Sequence, residues 1–270
     1  MCRHLGYLGP PVAVGDVLTR GEHSLRTQSW APRDMRRGGT INADGFGVAW
    51  WTPQQGATRY RNPAPIWTDP AVDEVLPQLR STSVLAAVRS ATVGMPVERS
   101  ACAPFVDGRW AFSHNGVIPD WRRVLPAVAQ EFGADLTEAE SATDSAALWV
   151  ILRAALSAEE SGPGGKVRST GVRHRRTLAR VVRRVLDQAP DARLNLLLGD
   201  GENLWATSVY HSLSVLAVDD SVVVASEPYD DHPRWQPIPD RQLVSVSPRR
   251  LHIESLDDHD FADRCERALT

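Results

Sequence analysis

The feature that most restricts the fold is a series of short strand-like runs near both ends of the chain, with most of the long helical patterns between them. Runs at Arg3–Leu8, Phe46–Trp51, Val84–Arg89 and Trp110–Ser113 come first, and Arg193–Leu198, Leu204–Val209, Leu213–Val218 and Ser221–Ser226 come last. Several alternate or are β-branched, and turn residues end them: Gly-Asp-Gly at 199–201, and Asp219-Asp220, which reads as a hairpin turn. Helical spacing marks Pro70–Leu79, Pro119–Phe132, Thr143–Leu156 and Thr177–Leu186. The helix entered at Asp120 puts Trp121, Val124, Leu125 and Val128 on one face; the next puts Ala147, Leu148, Ile151, Leu152 and Leu156 on another. Strand and helix do not alternate as in a doubly wound parallel sheet, no GxGxxG or phosphate loop occurs, and no internal repeat is visible. The pattern predicts an α+β layered sandwich of antiparallel sheets.

Composition narrows the setting. The 270 residues, 42% of them hydrophobic, suffice for a well-packed core and read as one domain over 1–270. A net charge of −3 gives no case for nucleic acid or a membrane surface. No apolar run approaches the roughly 18–20 residues that span a bilayer. The N-terminus lacks a signal peptide's apolar segment, so a cytoplasmic protein is expected. Three cysteines are too few for a disulfide framework. Cys102, among small and apolar neighbours, reads as a buried or loop thiol, and Cys265, in a charged tail, as inert. Cys2, His4 and His114 lack metal-ligand spacing, so no metal is predicted. Residues 157–171 read as a flexible loop. The arginines that follow, including Arg175, Arg180 and Arg184, read as a solvated helix face with Val181, Val182 and Val185 turned inward.

Cys2 directly follows the initiator methionine. Removal of Met1 leaves one residue carrying both a thiol and a free α-amine. The amine ordinarily titrates at about 7.7–8.0 and the thiol near 8.5, so the amine can serve as base near neutral pH. Four further segments offer chemistry. Asn42-Ala43-Asp44-Gly45-Phe46-Gly47 is a polar, glycine-flanked approach to a strand, or an ordinary turn. Arg89-Ser90-Ala91-Thr92 closes another strand: the arginine can clamp a carboxylate, with Thr92 adding a hydroxyl, or form a structural ion pair. His114-Asn115-Gly116 is a turn signal or an oxyanion hole built from the Asn115 amide and the Gly116 N–H, and His114 beside it is a base or a structural histidine. Asp144 at a helix start either caps the helix or pairs with an ammonium group.

In this order, Cys2, Arg89-Ser90-Ala91-Thr92, His114-Asn115-Gly116 and Thr143-Asp144 resemble the class II glutamine amidotransferases of the N-terminal-nucleophile superfamily. The resemblance runs over essentially the whole chain. Met-Cys-Arg-His-Leu-Gly-Tyr-Leu-Gly, Gly-Gly-Thr-Ile-Asn-Ala-Asp-Gly-Phe-Gly and Val-Ala-Ser-Glu-Pro at 224–228 are similar to the γ-glutamyl hydrolases of ergothioneine biosynthesis. Those remove glutamate from a γ-glutamyl-hercynylcysteine sulfoxide. The resemblance implies a four-layer αββα sandwich and a Cys2 thiol nucleophile with its own α-amine as base. It also implies Asn115 and Gly116 as oxyanion donors, and Arg89, Thr92, His114 and Asp144 around the glutamyl group. It implies no metal or organic cofactor and a small γ-glutamyl substrate. Glutamine enzymes of this class commonly carry Arg-Trp-Ala-Thr at the arginine segment. Ser90 departs from that and reads as room for a leaving group larger than ammonia. With little chain after residue 250, a free-standing amidase is expected over a glutaminase feeding ammonia to a separate synthetase, or an inactive scaffold. A trimethylammonium-bearing substrate would suit an aromatic wall from one or two of Trp30, Trp50, Trp51, Trp67 and Trp235.

Overall fold

The computed structural model of the protein describes residues 2–34, 36, 41–52, 55–161, 170–248 and 250–258. Strand β1 (Arg3–Ala13) leads into α1 (Val14–Thr19) and α2 (Leu25–Gln28). A hairpin of β2 (Phe46–Thr52) and β3 (Gly56–Asn62) follows, then α3 (Ala71–Glu74) and β4 (Arg80–Val88). The middle of the chain holds β5 (Phe105–Asp107), β6 (Trp110–Val117), α4 (Trp121–Phe132), α5 (Asp144–Ser161) and α6 (Thr170–Gln188). Next come β7 (Arg193–Gly199), β8 (Leu204–Ser208), β9 (Ser214–Val218) and β10 (Ser221–Ala225). Three short strands end the described chain: β11 (Gln236–Pro237), β12 (Gln242–Ser247) and β13 (Arg250–Ser255).

The strands form a seven-stranded sheet, in the order β11-β9-β10-β1-β4-β2-β3, and a six-stranded sheet, β13-β12-β8-β7-β6-β5. Pairing is antiparallel throughout. Alternation along the strands sorts side chains into layers. On β4, Val84, Ala86 and Val88 pack with Val14, Leu18 and Leu25 of α1 and α2. Leu85, between them in sequence, joins Leu197, Leu204, Val222 and Val244 in the space between the sheets. On β7, Leu194, Leu196 and Leu198 turn the other way, onto Leu125, Ile151, Leu152 and Val182 of α4, α5 and α6. Each sheet is therefore sealed by helices on one face and by the other sheet on the second, which is the expected α+β αββα sandwich. Among the described residues no helix is long and apolar enough to cross a membrane.

The predicted hairpin at 219–220 joins β9 to β10, with Asp219 in the left-handed region at φ 53. The helix predicted over Pro70–Leu79 breaks into α3 and a 3-10 turn at Leu76–Gln78. Pro77 has no N–H to donate back to Asp73, so the helical hydrogen-bond pattern is interrupted there. The loop predicted over 157–171 is narrower than expected, because α5 continues to Ser161 and α6 starts at Thr170; residues 162–169, like Cys265 and the Gly38-Gly39-Thr40 stretch, lie outside the described residues. The basic helix does turn Val181, Val182 and Val185 fully inward. Arg184 pairs with Glu131 at 2.6 Å on the solvated face, whereas Arg175, expected on that face too, is buried and pairs with Glu254 at 2.9 Å.

Candidate active site

Register brings the sequence-distant candidates to one end of the sandwich. Arg3 of β1 and Phe46 of β2 both lie opposite Val88 of β4, so Cys2, Gly45 and Arg89 leave the first sheet together. The Cys2 thiol points at the Ser90 carbonyl, 3.8 Å away. Cys2 and Arg89 line one small cavity of about 20 Å³ with Phe105, Ser113, His114 and Ser145.

Asp44 fixes the arginine segment. Its N–H donates to the Arg89 carbonyl (2.9 Å), the Arg89 N–H donates to the Gly45 carbonyl (2.8 Å), and the Ala91 N–H donates to Asp44 Oδ2 (2.7 Å). Gly45 has φ +118, and a Cβ there would stand 2.4 Å from the Cys102 sulfur, so conformation and space both require glycine. Burial pushes the Cys102 thiol up to about 11, which leaves it protonated and inert beneath the site. Arg89 Nη1 donates to the Pro96 carbonyl at 2.9 Å and to the Asp44 carbonyl at 3.4 Å. Among the described residues it has no carboxylate partner, so the structural ion pair that the sequence left open is not formed.

Strand β6 supplies the second half of the site. Asn115 is wholly buried, and its side-chain amide spends one long bond, 3.4 Å, on the Ser226 hydroxyl of the opposite sheet. Gly116 lies so close to β7 that a Cβ would come within 1.8 Å of the Arg193 carbonyl. His114 has protein partners for both ring nitrogens: Nε2 with the Arg193 carbonyl at 2.8 Å and Nδ1 with Ser145 Oγ at 3.0 Å. A carbonyl can only accept, so Nε2 carries a proton, while Nδ1 faces the Ser145 hydroxyl, which also lies 3.4 Å from Asp144 Oδ1. Asp144 is 6% exposed, and its carboxylate accepts the Ile118 N–H at 2.9 Å and the Ser145 N–H at 2.8 Å. It too lacks a charged partner among the described residues. Thr92 stands apart from the small cavity. It is exposed at the rim of a groove of about 610 Å³ that also includes Met95, Ile118, Asp120 and Trp121.

A buried polar layer that motif spacing did not reveal supports these groups. Arg3 and Glu227 form an ion pair at 2.6 Å, 1% and 3% exposed. Arg3 also donates to the Cys2 carbonyl (3.0 Å) and to the Asp34 carbonyl, and Glu227 accepts the N–H groups of Arg33 and Asp34. Ser226 Oγ accepts the His4 N–H at 3.0 Å, and His4 Nδ1 reaches Ser113 Oγ at 3.3 Å. Burial first, and then the electrostatic influence of the neighbouring His114, His211 and Arg3, lowers His4 to about 3. His211 is likewise lowered to about 3, by burial and then by Arg193. The Val-Ala-Ser-Glu-Pro stretch was the available signal for this layer, since it contains Ser226 and Glu227. Of the tryptophans, Trp51 donates to the Arg109 carbonyl and Trp235 to Asp230, whereas Trp30 and Trp67 meet edge to face at 5.6 Å and stay 45% and 42% exposed. Among the described residues no group of three or more His, Cys, Asp and Glu is arranged to hold a metal ion.

Known proteins match this arrangement at two levels. Solved structures share the fold, two of which illustrate it. One is a glutamine aminotransferase class-II domain protein from Silicibacter pomeroyi, with TM-score 0.62 and 22% identity, covering 95% of this chain and 100% of that one. The other is the glutamine phosphoribosylpyrophosphate amidotransferase of B. subtilis, with TM-score 0.63 and 14% identity, covering 95% of this chain and 49% of that one. In sequence, the chain is 43% identical over 259 residues to the gamma-glutamyl-hercynylcysteine sulfoxide hydrolase of Mycobacterium tuberculosis H37Rv, covering 95% of this chain and 97% of that protein. It is 44% identical over 253 residues to the protein of the same name from Mycolicibacterium smegmatis, covering 94% and 98%. The family model for class-II glutamine amidotransferases matches residues 22–218. The chain therefore belongs to the class-II glutamine amidotransferase family.

Proposed function

We propose that the protein hydrolyses a γ-glutamyl amide with the Cys2 thiol, and that its substrate is γ-glutamyl-hercynylcysteine sulfoxide. The observation that carries the reading is near-full-length identity of 43–44% to two hydrolases named for that substrate. The site chemistry supports it, because a buried acid and an arginine that form no ion pair among the described residues suit a zwitterionic glutamyl group. In this reading Arg89, with Thr92 at the groove rim, takes the α-carboxylate, and Asp144 takes the α-ammonium. Asn115 and the Gly116 N–H face the developing oxyanion, a contribution of about 2.7–4 kcal/mol for one donor. His114 positions the oxyanion strand through its two hydrogen bonds and has no nitrogen left for the substrate.

After loss of Met1, the α-amine of Cys2 takes the thiol proton and the thiolate attacks the γ-carbonyl. The tetrahedral intermediate collapses to a glutamyl thioester as the proton passes to the departing amine nitrogen. Water, deprotonated by the same amine, then releases glutamate and restores the thiol. The chemistry calls on no metal or organic cofactor and needs no synthetase. The test is glutamate release by Met1-free protein, with the sulfoxide and glutamine as alternative substrates and Cys2→Ala as control. Preference for the sulfoxide, abolished by the substitution, is expected. Preference for glutamine would assign a glutaminase feeding a separate synthetase.

A further inference from the structure

Arg193, the first residue of β7, lies directly opposite Val117 and next to the position opposite Gly116. Residues paired across two strands point to the same face of a sheet. Asn115 and Asn195 are one such pair and Val117 and Arg193 the next along that face, so the Arg193 side chain stands on the face that bears the Asn115 amide. One strand spacing, about 4.8 Å, separates the two backbones. The Arg193 guanidinium is half-buried, 4.6 Å above the Tyr210 ring, and among the described residues it meets no carboxylate.

Tyr210 itself is in the left-handed region at φ 83, a costly backbone state for a bulky residue. The surroundings hold it there. The Tyr210 N–H donates to Asp240 Oδ1 at 2.6 Å, and the Val209 and His211 N–H groups donate to Asn195 Oδ1 at 3.0 and 3.1 Å. Arg36 donates to the Tyr210 carbonyl. An aromatic plate is thus fixed under an arginine that forms no ion pair among the described residues, one strand away from the oxyanion donor.

We propose that Arg193, backed by Tyr210, binds the α-carboxylate of the leaving amine and makes the enzyme selective for γ-glutamyl amino acids over simpler amides. The inference rests on the γ-glutamyl hydrolase reading. When the amine is an amino acid, its carboxylate is one carbon from the scissile nitrogen and so lies beside the oxyanion, within reach of a group one strand over. Glutamine, which releases ammonia, has nothing to offer this arginine.

The probes are γ-glutamyl-S-methylcysteine sulfoxide and the matching amide of 2-(methylsulfinyl)ethylamine, which lacks only the carboxylate. Each is measured with wild type, Arg193→Gln and Arg193→Lys, after melting curves show equal folding. Arg193→Gln is expected to lower kcat/KM for the carboxylate-bearing amide by about tenfold to a hundredfold, mostly through KM, the range of a charged hydrogen bond. Its effect on the carboxylate-free amide is expected to be smaller by about tenfold, and Arg193→Lys should recover part of the loss. Equal losses on both amides, or no loss on either, would overturn the assignment. Failure of wild type to release glutamate from either amide would defeat the underlying hydrolase reading and this inference with it.

Discussion

The two ends of the space between the sheets share a scaffold and differ in whether their polar groups are buried and uncommitted. At the far end, Leu8, Pro10 and Val222 line a cleft of about 580 Å³ together with Thr82, Glu202 and Asp220 at its opening to solvent. At the near end, Cys2 and Arg89 share a cavity of about 20 Å³. Size alone does not choose between the ends, because the groove beside the near end, at Thr92 and Ile118, measures about 610 Å³. The near end is set apart by polar groups left uncommitted: among the described residues, the half-buried Arg89 and the buried Asp144 form no ion pair, and the Asn115 amide makes a single long bond. A folded chain leaves such groups unpaired at a cost, so their concentration beside the N-terminal cysteine identifies where a ligand completes the structure.

The comparison breaks most visibly if the polar end tolerates damage. Glu227→Ala leaves Arg3 buried and uncompensated, and is expected to cost about 3–5 kcal/mol of stability, read by denaturant unfolding. A loss below about 1 kcal/mol, the scale of an exposed pair, would mean that the ion pair does not anchor the Cys2 strand. A matched pair of substitutions sharpens the contrast. Asn115→Ala should lower kcat by about 10²–10³. Leu197→Ala, in the apolar layer, should cost about 2–5 kcal/mol of stability while the folded enzyme keeps its kcat. Steady-state kinetics beside unfolding curves separate the two; a comparable kcat loss in both variants would dissolve the distinction between the ends.

The polar end should also give the stability a pH dependence. His4 and His211 titrate at about 3 in the fold and near 6.5 when unfolded, so below 6.5 the unfolded chain binds protons that the native one refuses. Their contribution is complete above about pH 6.5 and declines as pH falls toward 3, by about 1.4 kcal/mol per pH unit for each histidine at most. Melting temperatures from pH 7 to 4 should fall accordingly, less steeply in His4→Asn. A melting temperature flat over that range would mean that these rings are not held neutral.

Much of this was legible in the sequence because the polar motifs sit at strand ends, where side-chain alternation and turn residues are easiest to read. Arg89 and the Asn115-Gly116 pair each follow an apolar run, and Asp144 opens a periodic helix. Elements escaped where the local signal was weak or mixed. Strand β3, Gly-Ala-Thr-Arg-Tyr-Arg-Asn, alternates with arginines and lies at a sheet edge, and α1 and α2 are too short to develop a period. The buried layer of Arg3, His4, Ser226 and Glu227 had a motif but no readable chemistry. Its meaning depends on contacts such as Arg3 to Glu227, which are 224 residues apart in sequence. Arg193 looked like an ordinary strand start, and only register places it beside Gly116.

The most direct measurement is the site of covalent labelling by a γ-glutamyl diazoketone, a carbon analogue of the scissile amide, followed by peptide mass spectrometry. The account predicts a single adduct on the Cys2 thiol of chains that have lost Met1, protection by free glutamate, and an unlabelled Cys102. Labelling at Cys102, or equal labelling of chains that retain Met1, would contradict an N-terminal nucleophile that supplies its own base.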